Sequence, residues 1–72
     1  MQIRVEELAS RAGVSVDTVR FYQKQGLLPP PRREGRLAWY DEDHLARIER
    51  VKQLRRRGFT LAVIRRAWSS LG

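Results

Sequence analysis

At 72 residues the chain has room for one small domain, whose fold buries only about 60% of the surface exposed by the unfolded chain. Fifteen Lys+Arg against eight Asp+Glu leave a formal charge of +7, which points to a polyanionic partner, nucleic acid ahead of a membrane surface. Hydrophobic residues make up 42% of the chain and cysteine is absent, which excludes a disordered basic tail, disulfide staples and thiolate chemistry.

Val5, Leu8, Ala9 and Ala12 recur at helical spacing and predict a first helix two turns long, broken at Gly13. Ser15 is then a cap for a second helix from Val16 to about Gln25, with Asp17 in its positive first turn. Gly26 is the expected left-handed stop, and Leu27-Leu28-Pro29 returns the chain to the core. Two short helices joined around a glycine, over residues 5 to about 25, outline a helix-turn-helix.

The prolines from Pro29 to Pro31 forbid helix, so residues 29 to about 40 are expected to be extended. Arg33-Glu34-Gly35-Arg36 has the composition of a hairpin tip, with Leu37 to Tyr40 as the returning strand of a two-stranded wing. Its arginines Arg32, Arg33 and Arg36 suit a loop lying along phosphates.

Asp41-Glu42-Asp43 opens a third helix, to about residue 57, with a cap and two acids where the macrodipole favours them. Leu45, Ile48, Val51 and Leu54 follow at steps of three, so the apolar stripe drifts by about 60° per step and must meet different neighbours along its length. Arg55-Arg56-Arg57 and Gly58 close it. Phe59 is expected in the core, and Thr60 caps a fourth helix, to about residue 70, whose stripe is Leu61, Ile64, Trp68 and Leu71. The fold class is therefore mainly α, four helices with a short β-hairpin wing, in a single domain over 1–72.

Catalysis finds little support. The single His44 stands in an acidic cap turn and reads as a surface residue. Neighbouring positions do not converge on a metal, and no nucleophile triad or phosphate-cradling glycine loop is present. The expectation is a non-enzyme without cofactor. The N-terminus MQIRVEELAS carries charges where a signal peptide needs an apolar stretch, and no run approaches the roughly 20 apolar residues of a membrane span. A cytoplasmic protein with no membrane partner is expected.

With Val16 and Val19 toward the core, the second helix leaves Asp17, Thr18, Arg20, Phe21 and Lys24 for its other faces. Ser15, Asp17 and Thr18 can reach base edges, and Arg20 and Lys24 can reach bases or phosphates. Tyr22 lies on the side of Val19, its ring packed and its hydroxyl available to a phosphate; Phe21 is the alternative buried aromatic. Past Glu49 there is no acid, while Arg50, Lys52, Arg55, Arg56, Arg57, Arg65 and Arg66 follow, which suggests a second basic surface.

Val14-Ser15-Val16-Asp17-Thr18-Val19-Arg20-Phe21-Tyr22, followed by Gln25-Gly26-Leu27-Leu28-Pro29, resembles the DNA-binding domain of the MerR family of bacterial transcription regulators. The similarity continues through Tyr40-Asp41-Glu42-Asp43-His44-Leu45 and Leu54 to Leu61, nearly the whole chain. The resemblance implies a winged helix-turn-helix with helix two in the major groove. It implies DNA contacts from Ser15, Thr18, Arg20 and Tyr22, and backbone contacts from Arg33 and Arg36. The chain departs from the family's Gly-Tyr-Arg-x-Tyr wing. Aligned on Tyr40, which joins the expected contact set with Asp17 and Lys24, it has Ala38 in place of the usual wing arginine.

The function expected is sequence-specific binding of double-stranded DNA by a transcription regulator, with RNA polymerase a candidate partner and a homodimer only where a longer chain supplies the dimerisation helix. Two alternatives stand beside it. One is a protein-interaction module presenting Trp39, Trp68 and Leu71; the other is a small excisionase-like architectural DNA binder.

Overall fold

Alternation of capped helical segments with glycines divides the chain into α1 (Val5–Ala12), α2 (Val16–Lys24), β1 (Arg32–Glu34), β2 (Leu37–Trp39), α3 (Glu42–Arg56) and α4 (Leu61–Leu71). They were located in a computed structural model that describes the backbone of residues 1–71 and the side chains of residues 1–68. The architecture is four helices with one two-stranded antiparallel hairpin.

Local chemistry sets the helix ends. Ser15 Oγ accepts from the Thr18 N–H at 3.0 Å, filling one of the orphan donors at the start of α2. After α2, Gly26 takes φ 77° and a Schellman closure forms, Gly26 N–H to Gln23 O at 3.1 Å and Leu27 N–H to Tyr22 O at 2.9 Å. This reversal drives Leu27 and Leu28 inward, and both are buried. Thr60 Oγ1 accepts from the Val63 N–H at 3.2 Å at the start of α4.

The drifting stripe of α3 divides the interior in two. Ile48 joins Leu8, Ala9, Ala12, Val19 and Leu28 in a core shared with α1 and α2, with Leu45 packed against it. One helical turn on, Val51 meets Leu27 and Ile64 in a second core, flanked by Leu54, Leu61 and Trp68. Each fully buried aliphatic here contributes about 1.5–3 kcal/mol. Lys52 Nζ donates to the Ala12 carbonyl at 2.7 Å, so a cation satisfies the negative end of α1.

The hairpin pairs Arg32 with Trp39, Arg33 with Ala38 and Glu34 with Leu37, leaving Gly35-Arg36 as a two-residue turn. Gly35 has φ 61° while no non-glycine residue has positive φ, the sense of a type II′ turn. Ile3 and Tyr40 exchange two backbone hydrogen bonds of 2.8 Å, tying the N-terminal segment to the base of the wing.

Two sequence expectations are corrected. Phe59 is 44% exposed rather than in the core: its N–H closes α3 onto Leu54 O at 3.1 Å, and it belongs to neither cluster. His44 is 4% exposed rather than on the surface. Its Nδ1 lies 3.2 Å from the Asp41 N and 3.1 Å from Asp41 Oδ1, and its Nε2 lies 3.0 Å from Pro29 O, so both ring nitrogens have polar partners. The extended segment at Pro29 thus meets the ring from the far side of the cap. Leu71 lies outside the described side chains. Among the described residues no helix is long and apolar enough to cross a membrane.

Candidate nucleic-acid interface

Val19 is fully buried, so it fixes the rotation of α2. Residues one and five positions on then point sideways and outward, toward the wing. The result is an open cleft of about 610 Å³ between α2, the hairpin and the start of α1, lined by the cations Arg4, Arg20, Lys24, Arg33 and Arg36 with Glu6 as the single acid. Low-dielectric walls focus the field of such a cluster and draw in anions.

Tyr40 forms part of this lining, yet its ring is 5% exposed, and its hydroxyl donates to Gln23 Oε1 at 3.0 Å. Burial raises the phenol above its ordinary 10.0; Arg33 and Arg20 oppose that rise and Glu6 adds to it. The protonated hydroxyl therefore persists as a donor to Gln23, and the bond joins the wing to α2. His44 stacks edge-on against the Tyr40 ring at 4.9 Å, extending the support from the start of α3.

The remaining expected contacts fall elsewhere. Ser15 and Thr18 face each other, oxygen to oxygen, at 2.9 Å at the amino end of α2, and Asp17 is exposed in the first turn. Tyr22 packs its ring against both cores, whereas Phe21 is 46% exposed, which decides between the two aromatics. The structure thus gathers Arg20, Lys24, Arg33, Arg36 and Tyr40 on one cleft and leaves Ser15, Asp17, Thr18 and Tyr22 outside its lining.

Arg33 pairs directly across the hairpin from Ala38, and both line the cleft. A guanidinium thus remains on this face although position 38 carries none. Three cleft residues escaped the sequence reading, the acid Glu6 among them. Arg4 precedes α1 and stands 5.8 Å from the centroid of the Trp39 ring, where cation and indole attract. Gln23 looks like an ordinary polar helix residue; the signal for it is a tyrosine seventeen positions away, visible only in three dimensions. Trp39 and Trp68 are both half-buried, the second beneath Arg47 at 4.2 Å.

A family model described as MerR HTH family regulatory protein matches residues 3–71. The chain belongs to the MerR family. Among MerR relatives, the HTH-type transcriptional regulator ZntR homolog of Haemophilus influenzae is 36% identical over 64 residues, 88% of this chain and 47% of the relative. A mercuric resistance operon regulatory protein of Serratia marcescens is 46% identical over 54 residues, 74% of this chain and 38% of the relative. The chain spans about half or less of the curated relatives it matches.

Of solved MerR structures, the transcription regulator PbrR691 from Ralstonia metallidurans, in complex with lead(II), superposes with TM-score 0.88 at 43% identity, over 93% of this chain and 53% of that one. HiNmlR, a MerR family regulator lacking the sensor domain and bound to promoter DNA, superposes with TM-score 0.86 at 28% identity, over 99% of this chain and 55% of that one. These matches span both the helix-turn-helix and the wing.

Proposed function

We propose that this chain is the part of a MerR-type transcription regulator that binds double-stranded DNA sequence-specifically. In this reading α2 enters the major groove and the wing lies on the sugar-phosphate backbone. The observation that carries it is the cationic cleft between α2 and the hairpin, in a fold shared with a relative bound to promoter DNA.

Arg20 and Lys24 reach bases or phosphates from α2, and Arg33 and Arg36 reach phosphates from the wing. Asp17 repels phosphate and so is directed to base edges, where a carboxylate accepts from cytosine N4. Ser15 and Thr18 present their hydroxyls at the amino end of the helix, in addition to the cap that Ser15 forms. The Tyr22 hydroxyl donates to a phosphate from a packed ring. Tyr40 acts through Gln23, holding the wing at a fixed spacing from α2. A regulator of this kind works in the cytoplasm, dimerises through further chain and engages RNA polymerase at the promoter; no catalytic role is assigned.

Selection of bound duplexes from a random pool tests the proposal, since an enriched motif reports specificity. Arg20→Ala is expected to lower affinity for that motif by about 1–3 kcal/mol and to relax preference at one position. Arg33→Ala is expected to weaken all duplexes alike and to reduce the slope of log K against log salt by about 0.9. Enrichment of no motif, together with binding indifferent to salt, would overturn the proposal.

A further inference from the structure

Phe21 is the large apolar side chain that α2 leaves in solvent, 46% exposed, and folding makes little use of it. It stands two residues beyond the fully buried Val19, about 200° around the helix. It belongs to neither core. Its neighbour is Tyr22, tilted by 49° with ring centroids 6.2 Å apart.

The surroundings narrow what can cover this ring. Lys24 stands one turn on and Arg20 beside it, both exposed and both lining the cationic cleft, with the exposed Asp17 one turn before; with two cations to one acid, the covering molecule carries negative charge next to an apolar spot. A paired DNA duplex offers one such spot to a side chain in its major groove. Base faces are closed by stacking, base edges are polar, and the 5-methyl of thymine projects into the groove.

Resting on the proposed function, we infer that Phe21 is a specificity-determining residue that reads thymine through its 5-methyl group. The charged neighbours attract any duplex, and beside whatever base edge Arg20 or Asp17 reads by hydrogen bonding, the ring adds a discrimination by apolar contact that polar groups do not supply. Thymine is preferred where the ring lands, and cytosine, which has only hydrogen at C5 and a polar amino group on the adjacent C4, is disfavoured.

Uracil pairs as thymine does and lacks only the methyl, so replacing thymines with uracil, one at a time, in the duplex enriched from the random pool isolates the contact. The 72-residue chain is expected to lose about fourfold in affinity at one or two positions, the effect of one buried methyl. Phe21→Ser is expected to bind the thymine and uracil duplexes equally, with an unchanged thermal midpoint because the ring is outside the core. Phe21→Leu is expected to keep part of the discrimination.

Indifference of the unaltered chain to every uracil replacement overturns the inference, as does undiminished discrimination by Phe21→Ser. Either result leaves sequence-specific binding intact. Enrichment of no duplex at all removes that function first and this inference with it.

Discussion

The helix-turn-helix half and the α4 half of the molecule use the same aliphatic residues but differ in how many elements share each core. Around Leu8, Val19 and Ile48, side chains arrive from the N-terminal segment, α1, α2, the base of the wing and α3. Around Val51 the fully enclosed partners are Leu27 and Ile64, with half-buried neighbours at the rim. The cationic face of α2 is therefore held from several directions, while α4 rests on α3 along a narrow seam. Rigidity is concentrated beneath α2, where, under the proposed function, a displacement of the cations would cost binding.

Unfolding in urea breaks or sharpens that contrast. Ile48→Ala is expected to cost about 3–5 kcal/mol and Ile64→Ala about 2 kcal/mol, because the thinner core can relax around the loss. A domain of this size has of order 5–10 kcal/mol to lose, so equal costs at the two sites would mean that α4 is integral to the first core. Removing His44 tests the junction beneath the wing. His44→Ala strands the Asp41 N–H and the Pro29 carbonyl, an expected loss of about 2–3 kcal/mol, read in the same titration.

Cap removal should separate the halves more gently. Ser15→Ala and Thr60→Ala are each expected to destabilise by about 1 kcal/mol, but Ser15→Ala alone should also reduce duplex affinity, as measured by fluorescence anisotropy. The smallest effect is an acid one. Burial opposes ionisation of Asp41, yet hydrogen bonds from the His44 side chain and from the His44 and Asp43 N–H groups outweigh it and hold the carboxyl below its ordinary 3.8. With the folded value depressed, the stabilisation is present above that ordinary value and fades as pH falls through the folded one. Thermal midpoints from pH ~5 to ~2 should fall less steeply for Asp41→Asn than for the unaltered chain.

Much of this was legible along the chain, and the reason is locality. Glycines and hydroxyl or carboxylate caps act within four residues, so the helix ends could be read from Ser15, Gly26, Asp41 and Thr60. The three-residue spacing on α3 announced that its neighbours change along its length, and two cores resulted. Departures came where a distant segment decides. His44 looked exposed among acids until the Pro29 carbonyl met its ring; Phe59 looked internal because it is aromatic, though it joins neither core. Gln23 acquired its role from Tyr40, and the choice between Phe21 and Tyr22 needed the rotation of α2 about Val19.

The placement of the two tryptophans makes the molecule its own optical instrument. Trp39 sits in the wing with its indole N–H buried and without a hydrogen-bond partner, close to Arg4; Trp68 lies on α4 under Arg47. Emission from the first is tied to events at the cleft, and emission from the second to the seam between α3 and α4. Replacing either with Phe leaves a single emitter, so ligand titration and helix detachment can be followed as separate signals without an attached dye.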